Sequence, residues 1–240
     1  MRIRINLNLD NVSLRINYLS YIQGFIYSTF PDNEETKLLH DQGLKYDNKK
    51  FKLFTFSEIY GSSTYDEVNK RLLFRGKGYF DFSAFDDKYV KYVMDYLDIN
   101  NSIVLGEKII KVINYEFLEE LIINKDTITY LTQSPVVTYI TDNKKMIYPK
   151  PGTIEYCELI YNNLKKKYYL CFHEELGALN FKFDNIKMKL SKFRNTYYES
   201  YHYNITIYGL NKKVQKVLLT CGLGGKNSMG FGMITNKTTN

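Results

Sequence analysis

Between Cys221 and Gly232 the chain reads Cys-Gly-Leu-Gly-Gly-Lys-Asn-Ser-Met-Gly-Phe-Gly, which places five of its fourteen glycines within twelve residues. Glycine admits positive φ and lets a second backbone approach closely, so this stretch is a tight loop, and its flanks restrict the fold. A helix pattern, Asn211 to Thr220, precedes it, and a strand pattern, Phe231 to Thr235, follows. The phosphate loops of nucleotide-binding α/β folds run the other way, from strand to loop to helix. Their spacing fails as well: a Walker A loop would need glycine at Thr220, and a dinucleotide fingerprint starting at Gly222 would need one at Asn227. Two readings remain. One is an anion-binding nest of successive main-chain N–H groups, assisted by Lys226, Asn227 and Ser228. The other is a glycine-rich hairpin with a structural purpose only.

Hydrophobic periodicity supplies the rest of the architecture. Ile3, Ile5, Leu7 and Leu9 alternate with Arg2, Arg4, Asn6 and Asn8, the signature of a half-buried strand. Asn17 is expected to cap a helix reaching Phe30, and Asp32 with Glu35 to open a short helix stopped at Gly43. Phe51–Ser57 reads as a strand carrying Lys52, Gly61-Ser62-Ser63 as a turn, and Leu72–Phe82 as a further strand or a hairpin around Gly76 and Gly78. Ser83 is expected to cap a helix to Leu97, and Ile103–Tyr115 supplies more strand. After a crossing at Glu116–Asp126 the pattern begins again. A strand starts at Thr127, and a helix opened by Thr153 ends at Lys165-Lys166-Lys167. Leu179–Leu190 forms a strand whose parity shifts near Asp184-Asn185, and Tyr197–Tyr208 forms another before the last helix, loop and strand. Each half has the order β-α-β-β-α-β. The expected fold class is α+β, two tandem ferredoxin-like (RRM-like) domains at residues 1–120 and 121–240.

The charge of this chain is unevenly spread. Residues 1–120 hold 16 Lys and Arg against 18 Asp and Glu, whereas residues 121–240 hold 17 against 8. The basic excess lies in the half that carries the glycine loop, which points to a polyanion, with nucleic acid ahead of an anionic membrane. The 23 tyrosines and 15 phenylalanines offer rings for base stacking as well as for the core. No apolar run spans a membrane, and the N-terminus lacks a signal-peptide centre. Cys157, Cys171 and Cys221 form neither a disulfide framework nor a zinc spacing, so a reducing cytoplasm is the expected location. No pair of acidic clusters has the spacing of a two-metal nuclease, and neither a metal nor another cofactor is expected.

His40 is expected in the last turn of the short second helix. The negative end of a helix dipole favours protonated imidazole, so the ring is suited to give and take a proton near neutral pH. A surface histidine is the plain alternative. His173 and His202 are further candidates, His202 on the polar parity of its strand.

Four segments together resemble the CRISPR-associated endoribonucleases that cut precursor CRISPR RNA within its repeats, members of the repeat-associated mysterious protein (RAMP) superfamily. They are Tyr21-Ile22-Gln23-Gly24-Phe25-Ile26-Tyr27, then Leu38-Leu39-His40-Asp41 with Phe51–Ser57, then Thr132-Gln133-Ser134-Pro135-Val136, and finally the glycine loop. The resemblance implies a metal-independent ribonuclease with Tyr27, His40 and Lys52 as catalytic residues. It also implies that CRISPR repeat RNA is held along the glycine loop, at Gly222, Gly224, Gly225, Lys226, Asn227, Ser228, Gly230 and Gly232. Lys187, Lys189, Lys192 and Arg194 are candidates for further phosphate contacts, with a solvated strand face as an equal alternative. Relatives of this kind commonly form homodimers, although no segment here declares an interface. The competing reading is a non-catalytic RAMP-type RNA-binding subunit of a CRISPR effector complex.

Overall fold

The computed structural model describes every residue except 42, 120, 121, 144 and 238–240; the side chains of residues 39–41 also lie outside the description. The first half runs β1 (Arg2–Asn8), β2 (Val12–Arg15), α1 (Leu19–Ser28), α2 (Glu34–Asp41), β3 (Leu44–Tyr46), β4 (Lys49–Phe51), β5 (Phe54–Phe56) and β6 (Tyr60–Asp66). It continues with β7 (Arg71–Ala84), α3 (Asp87–Ile99), β8 (Ser102–Leu105) and β9 (Lys108–Phe117). The long strand β7 is its spine. One edge of β7 takes β2 and β1, the other β6 and β5, and β1 leads on to β9 and β8, all antiparallel. Ile3, Ile5 and Leu7 of β1 are fully buried beneath α1 and α3, as their alternation predicts. Each such side chain contributes roughly 1.5–3 kcal/mol of burial.

The second half runs β10 (Thr127–Thr132), β11 (Ile140–Asp142), β12 (Lys145–Ile147), α4 (Ile154–Phe172), β13 (Asn180–Phe193), β14 (Thr196–Tyr208) and α5 (Lys212–Cys221). A 3-10 turn (Asn227–Met229) and β15 (Ile234–Asn236) close it. Its sheet has the order β13–β14–β10–β15. In both halves the first strand lies between the third and the fourth, with the second outside the third. This is the ferredoxin-like arrangement, found twice. The boundary expected between residues 120 and 121 falls outside the described residues. No helix among the described residues is long and apolar enough to cross a membrane.

Several local expectations are corrected. Tyr18, not Asn17, precedes α1, with no side-chain cap. The cap of α2 is Asn33, whose Oδ1 accepts from the Thr36 N–H at 2.9 Å; Glu35 instead pairs with Lys88. The segment Phe51–Ser57 breaks at Leu53, which has φ +49°. As a result Lys52 sits at a corner between β4 and β5 rather than within a strand. Gly61–Ser63 lies inside β6 at a bulge, because β7 is long enough to pair with it throughout. Ser83 lies in β7, and Asp86 caps α3. The helix expected to end at Lys167 continues to Phe172, because Tyr168 and Phe172 still have apolar surface to pack against. The parity shift at Asp184-Asn185 is observed as a register shift, with Asn185 at φ +55°.

The two sheets are joined by buried polar contacts. Asp81 on β7 is fully buried and accepts from Arg2 (3.2 Å), from Arg4 (2.8 and 3.2 Å) and from the Gln133 amide (3.1 Å). Arg2 also donates to Gln133 and to the Ile234 carbonyl. The Tyr60 hydroxyl donates to Gln133 O at 2.7 Å. Glu58, next to Ser57, accepts from Lys189 at 2.6 Å and lies 3.6 Å from His202 Nε2. Burial alone would raise the Glu58 carboxyl, but the bonds from His202 and Lys189 outweigh it and hold the group below the usual carboxylate range.

Candidate functional site

The glycine loop is threaded between the sheets. Thr55 on β5 donates to Phe231 O at 3.2 Å, and Gln23 on α1 donates to Ser228 O at 2.7 Å. Asn227 is buried, and its amide donates to both Leu223 O and Phe231 O at 3.0 Å, tying the loop to itself. At Gly232 (φ +72°) a Cβ would stand 1.9 Å from Leu223 O, and at Gly224 (φ +66°) it would stand 2.6 Å from Val136 Cγ1. These positions require glycine because the backbones cross there.

Much of the expected nest is therefore used internally. The N–H groups of Gly222, Leu223, Gly225, Gly230 and Gly232 donate to Leu218, Gly232, Val137, Asn227 and Pro135 carbonyls. Gly222, Gly224, Gly230 and Gly232 are buried, so they shape the loop, whereas Gly225, Lys226 and Ser228 reach its surface.

That surface forms one wall of a cleft of about 1040 Å³. Tyr27 from α1 and Lys52 from the β4–β5 corner form another. The Lys52 ammonium lies 4.9 Å from the centroid of the Tyr27 ring, within cation–π range. Tyr27 also packs edge-on against Phe30 and Phe54. Burial pushes the Tyr27 phenol well above its usual value, so it keeps its proton at neutral pH. His40 belongs to α2, but its side chain lies outside the described residues.

The cleft is strongly cationic. Lys49, Lys50, Lys52, Lys166, Lys167, Arg194 and Lys226 line it, and no carboxylate does among the described residues. Tyr139 and Tyr198 stand beside Lys226, whose ammonium is 5.7 and 6.0 Å from their ring centroids. Helix α4 turns Leu159, Asn162, Asn163 and Lys166 toward the same space. Asn163 Oδ1 is buried with no hydrogen-bond partner among the described residues. Among those residues, no group of three or more His, Cys, Asp or Glu side chains is placed to hold a metal ion.

The structure thus brings Tyr27, Lys52, Gly225, Lys226, Ser228 and Arg194 to one cleft. It leaves Lys187, Lys189 and Lys192 on β13 outside the lining: Lys187 pairs in register with His202, Lys189 is bound to Glu58, and Lys192 lies over the Tyr197 ring. Sequence reasoning missed Lys49, Lys50, Lys166, Tyr139 and Tyr198. The cluster Lys49-Lys50-x-Lys52 was a usable signal, as was the i, i+3, i+4, i+7 spacing of Leu159, Asn162, Asn163 and Lys166. Nothing local marks the two tyrosines.

Two ferredoxin-like sheets here close on one cationic cleft. The family described as CRISPR associated protein Cas6, C-terminal, matches residues 116–236. The chain belongs to the Cas6 family. It is 28% identical to CRISPR-associated endoribonuclease Cas6 1 of Methanocaldococcus jannaschii, over 98% of this chain and 92% of that protein. It is 26% identical to CRISPR-associated endoribonuclease Cas6 of Pyrococcus furiosus, over 93% of this chain and 84% of that protein. A solved structure named CRISPR associated protein Cas6 superposes with a TM-score of 0.77 at 26% identity, covering 99% of both chains. The structure of a Cas6-related protein from Pyrococcus furiosus shares the fold with a TM-score of 0.84 at 19% identity, covering 100% of this chain and 99% of that one.

Proposed function

We propose that this protein is an endoribonuclease that cleaves precursor CRISPR RNA within its repeat, without a metal ion, in the cytoplasm. The observation that carries this reading is the shared cleft. It holds Tyr27 and Lys52 beside a loop bearing Lys226, and its described lining carries lysines and an arginine with no carboxylate. A phosphate backbone is the ligand such a lining suits, and stacking on Tyr139 would hold a splayed base.

In the proposed reaction a general base removes the proton of a 2′-hydroxyl. O2′ attacks the adjacent phosphorus in line, the P–O5′ bond breaks, and the leaving O5′ takes up a proton. The products carry a 2′,3′-cyclic phosphate and a 5′-hydroxyl. Lys52 neutralises the charge that grows on the phosphorane. Tyr27, protonated at neutral pH, donates to a non-bridging oxygen. His40 is proposed as the base or the acid, a role typically worth roughly 100- to 10,000-fold.

Repeat RNA with a single 2′-deoxy substitution at the attacking nucleotide tests this mechanism. The reading expects binding as tight as that of the unmodified RNA, with no cleavage. Cleavage of the deoxy RNA at the same bond would overturn the mechanism. Binding of unmodified repeat RNA with no cleavage would favour an RNA-binding subunit instead.

A further inference from the structure

Lys167 differs from the other lysines of the cleft. It lies in α4 with its side chain only 2% exposed. Its ammonium donates to Gly222 O and Gly224 O, each at 2.8 Å. These two glycines have φ of +75° and +66°, so the clamp grips the loop where its chain direction is set. Gly225 and Lys226, the loop's face to the cleft, follow directly.

A buried ammonium without a carboxylate partner is costly. The titratable groups acting on it are the thiols of Cys221, on α5, and Cys171, on its own helix, with Lys216 of α5 facing the Cys171 thiol. Burial pulls the ammonium down to about 8, against a weaker opposing pull from those thiols. The charge adds positive potential at the floor of the cleft, and its two bonds order the loop that carries Lys226.

We propose that Lys167 is a positioning residue for RNA, whose protonated ammonium holds the glycine loop in the conformation that presents Lys226 and Ser228 to the phosphates. The proposal rests on the reading of the cleft as RNA-binding. It implies that stability and function diverge with pH. The folded value lies below the ordinary lysine value of about 10.4. Between the two the unfolded chain binds a proton that the native protein lacks, so stability rises with pH over that window. RNA affinity falls over the lower part of the same window as the clamp loses its charge.

The test measures affinity for repeat RNA, made uncleavable by the 2′-deoxy substitution, from about pH 7 to pH 9 in wild type and Lys167→Met. Wild-type affinity is expected to fall roughly 10- to 100-fold, the range carried by charged hydrogen bonds. Lys167→Met is expected to bind weakly by the same factor at pH 7, to show no pH dependence, and to keep its Tm within a few degrees. A second measurement needs neither variant nor RNA: the amide resonances of Gly224, Gly225 and Lys226 should titrate together with a midpoint near pH 8 in the wild-type protein. Wild-type RNA affinity that is flat across the range, loop amides that do not titrate, or Lys167→Met binding as tightly as wild type would each overturn the proposal. Absence of RNA binding at every pH would instead retire the functional reading, and the amide titration would still report on the clamp.

Discussion

The Lys52 ammonium stands 4.9 Å from the centroid of the Tyr27 ring, although the two residues come from a helix and from a corner between strands. The contact places a fixed positive charge and a phenol that keeps its proton on the same side of the cleft. Lys52→Ala is expected to slow cleavage of bound RNA roughly 100- to 1,000-fold, the effect of removing one charge-stabilising donor, with affinity changed only a few-fold. Tyr27→Phe is expected to reduce the rate without moving the basic limb of the pH–rate profile, because burial keeps the phenol protonated throughout that range. Single-turnover kinetics across pH check both.

Lys226 faces the cleft from the loop beside Tyr139 and Tyr198. If it meets a phosphate, Lys226→Ala should weaken binding of all single-stranded RNAs about equally. It should also reduce the slope of log affinity against log salt by about 0.7, one phosphate contact on a single strand. Filter binding at several salt concentrations measures both quantities.

Gly232 and Gly225 are only seven residues apart, yet they should respond oppositely to alanine. At Gly232 the new Cβ would lie 1.9 Å from Leu223 O at φ +72°, whereas at Gly225 the nearest contact is Val137 O at 3.6 Å. Gly232→Ala is expected to destabilise by about 2 kcal/mol or more. Gly225→Ala should stay within about 0.5 kcal/mol of wild type. Denaturant unfolding of the two variants makes the comparison.

Asp81 joins the two sheets through Arg2, Arg4 and Gln133. Asp81→Asn removes the fully buried carboxylate that Arg2 and Arg4 share, and a loss of about 3–5 kcal/mol is expected. Urea denaturation reads this directly. Broadening or splitting of the transition would show the sheets separating.

Glu58 gives the joint a dependence on acid. Its folded carboxyl lies below the usual value, so its contribution is full above the unfolded pKa of about 4.3. That contribution is lost as pH falls through the lower folded value. Thermal melts from pH 6 downward should show a steeper loss in wild type than in Glu58→Gln, which is less stable at pH 6 but flatter.

The fold was legible because strand and helix periodicities are local. The alternation of β1 and the parity shift at Asp184-Asn185 can both be read from neighbouring residues. The site was less legible, because what assembles it is long-range. Phe51–Ser57 looks like one strand, and only its pairing with two different partners, β3 and β7, creates the corner that aims Lys52 at Tyr27. Lys165-Lys166-Lys167 looks like a basic helix end. The helix continues because Tyr168 and Phe172 find a core, and this turns Lys167 inward toward the loop. The glycines suggested phosphate contact, yet several of them serve the crossing of the loop between the sheets, a role visible only once both sheets are in place.

The most direct test of the central claim is cleavage of the protein's own CRISPR repeat RNA in excess EDTA, with the product ends mapped. The account predicts one cut within the repeat, a 2′,3′-cyclic phosphate on the upstream fragment and a 5′-hydroxyl on the downstream one, with strong loss in Lys52→Ala. Cleavage that requires added metal, or tight binding with no cut, would contradict it.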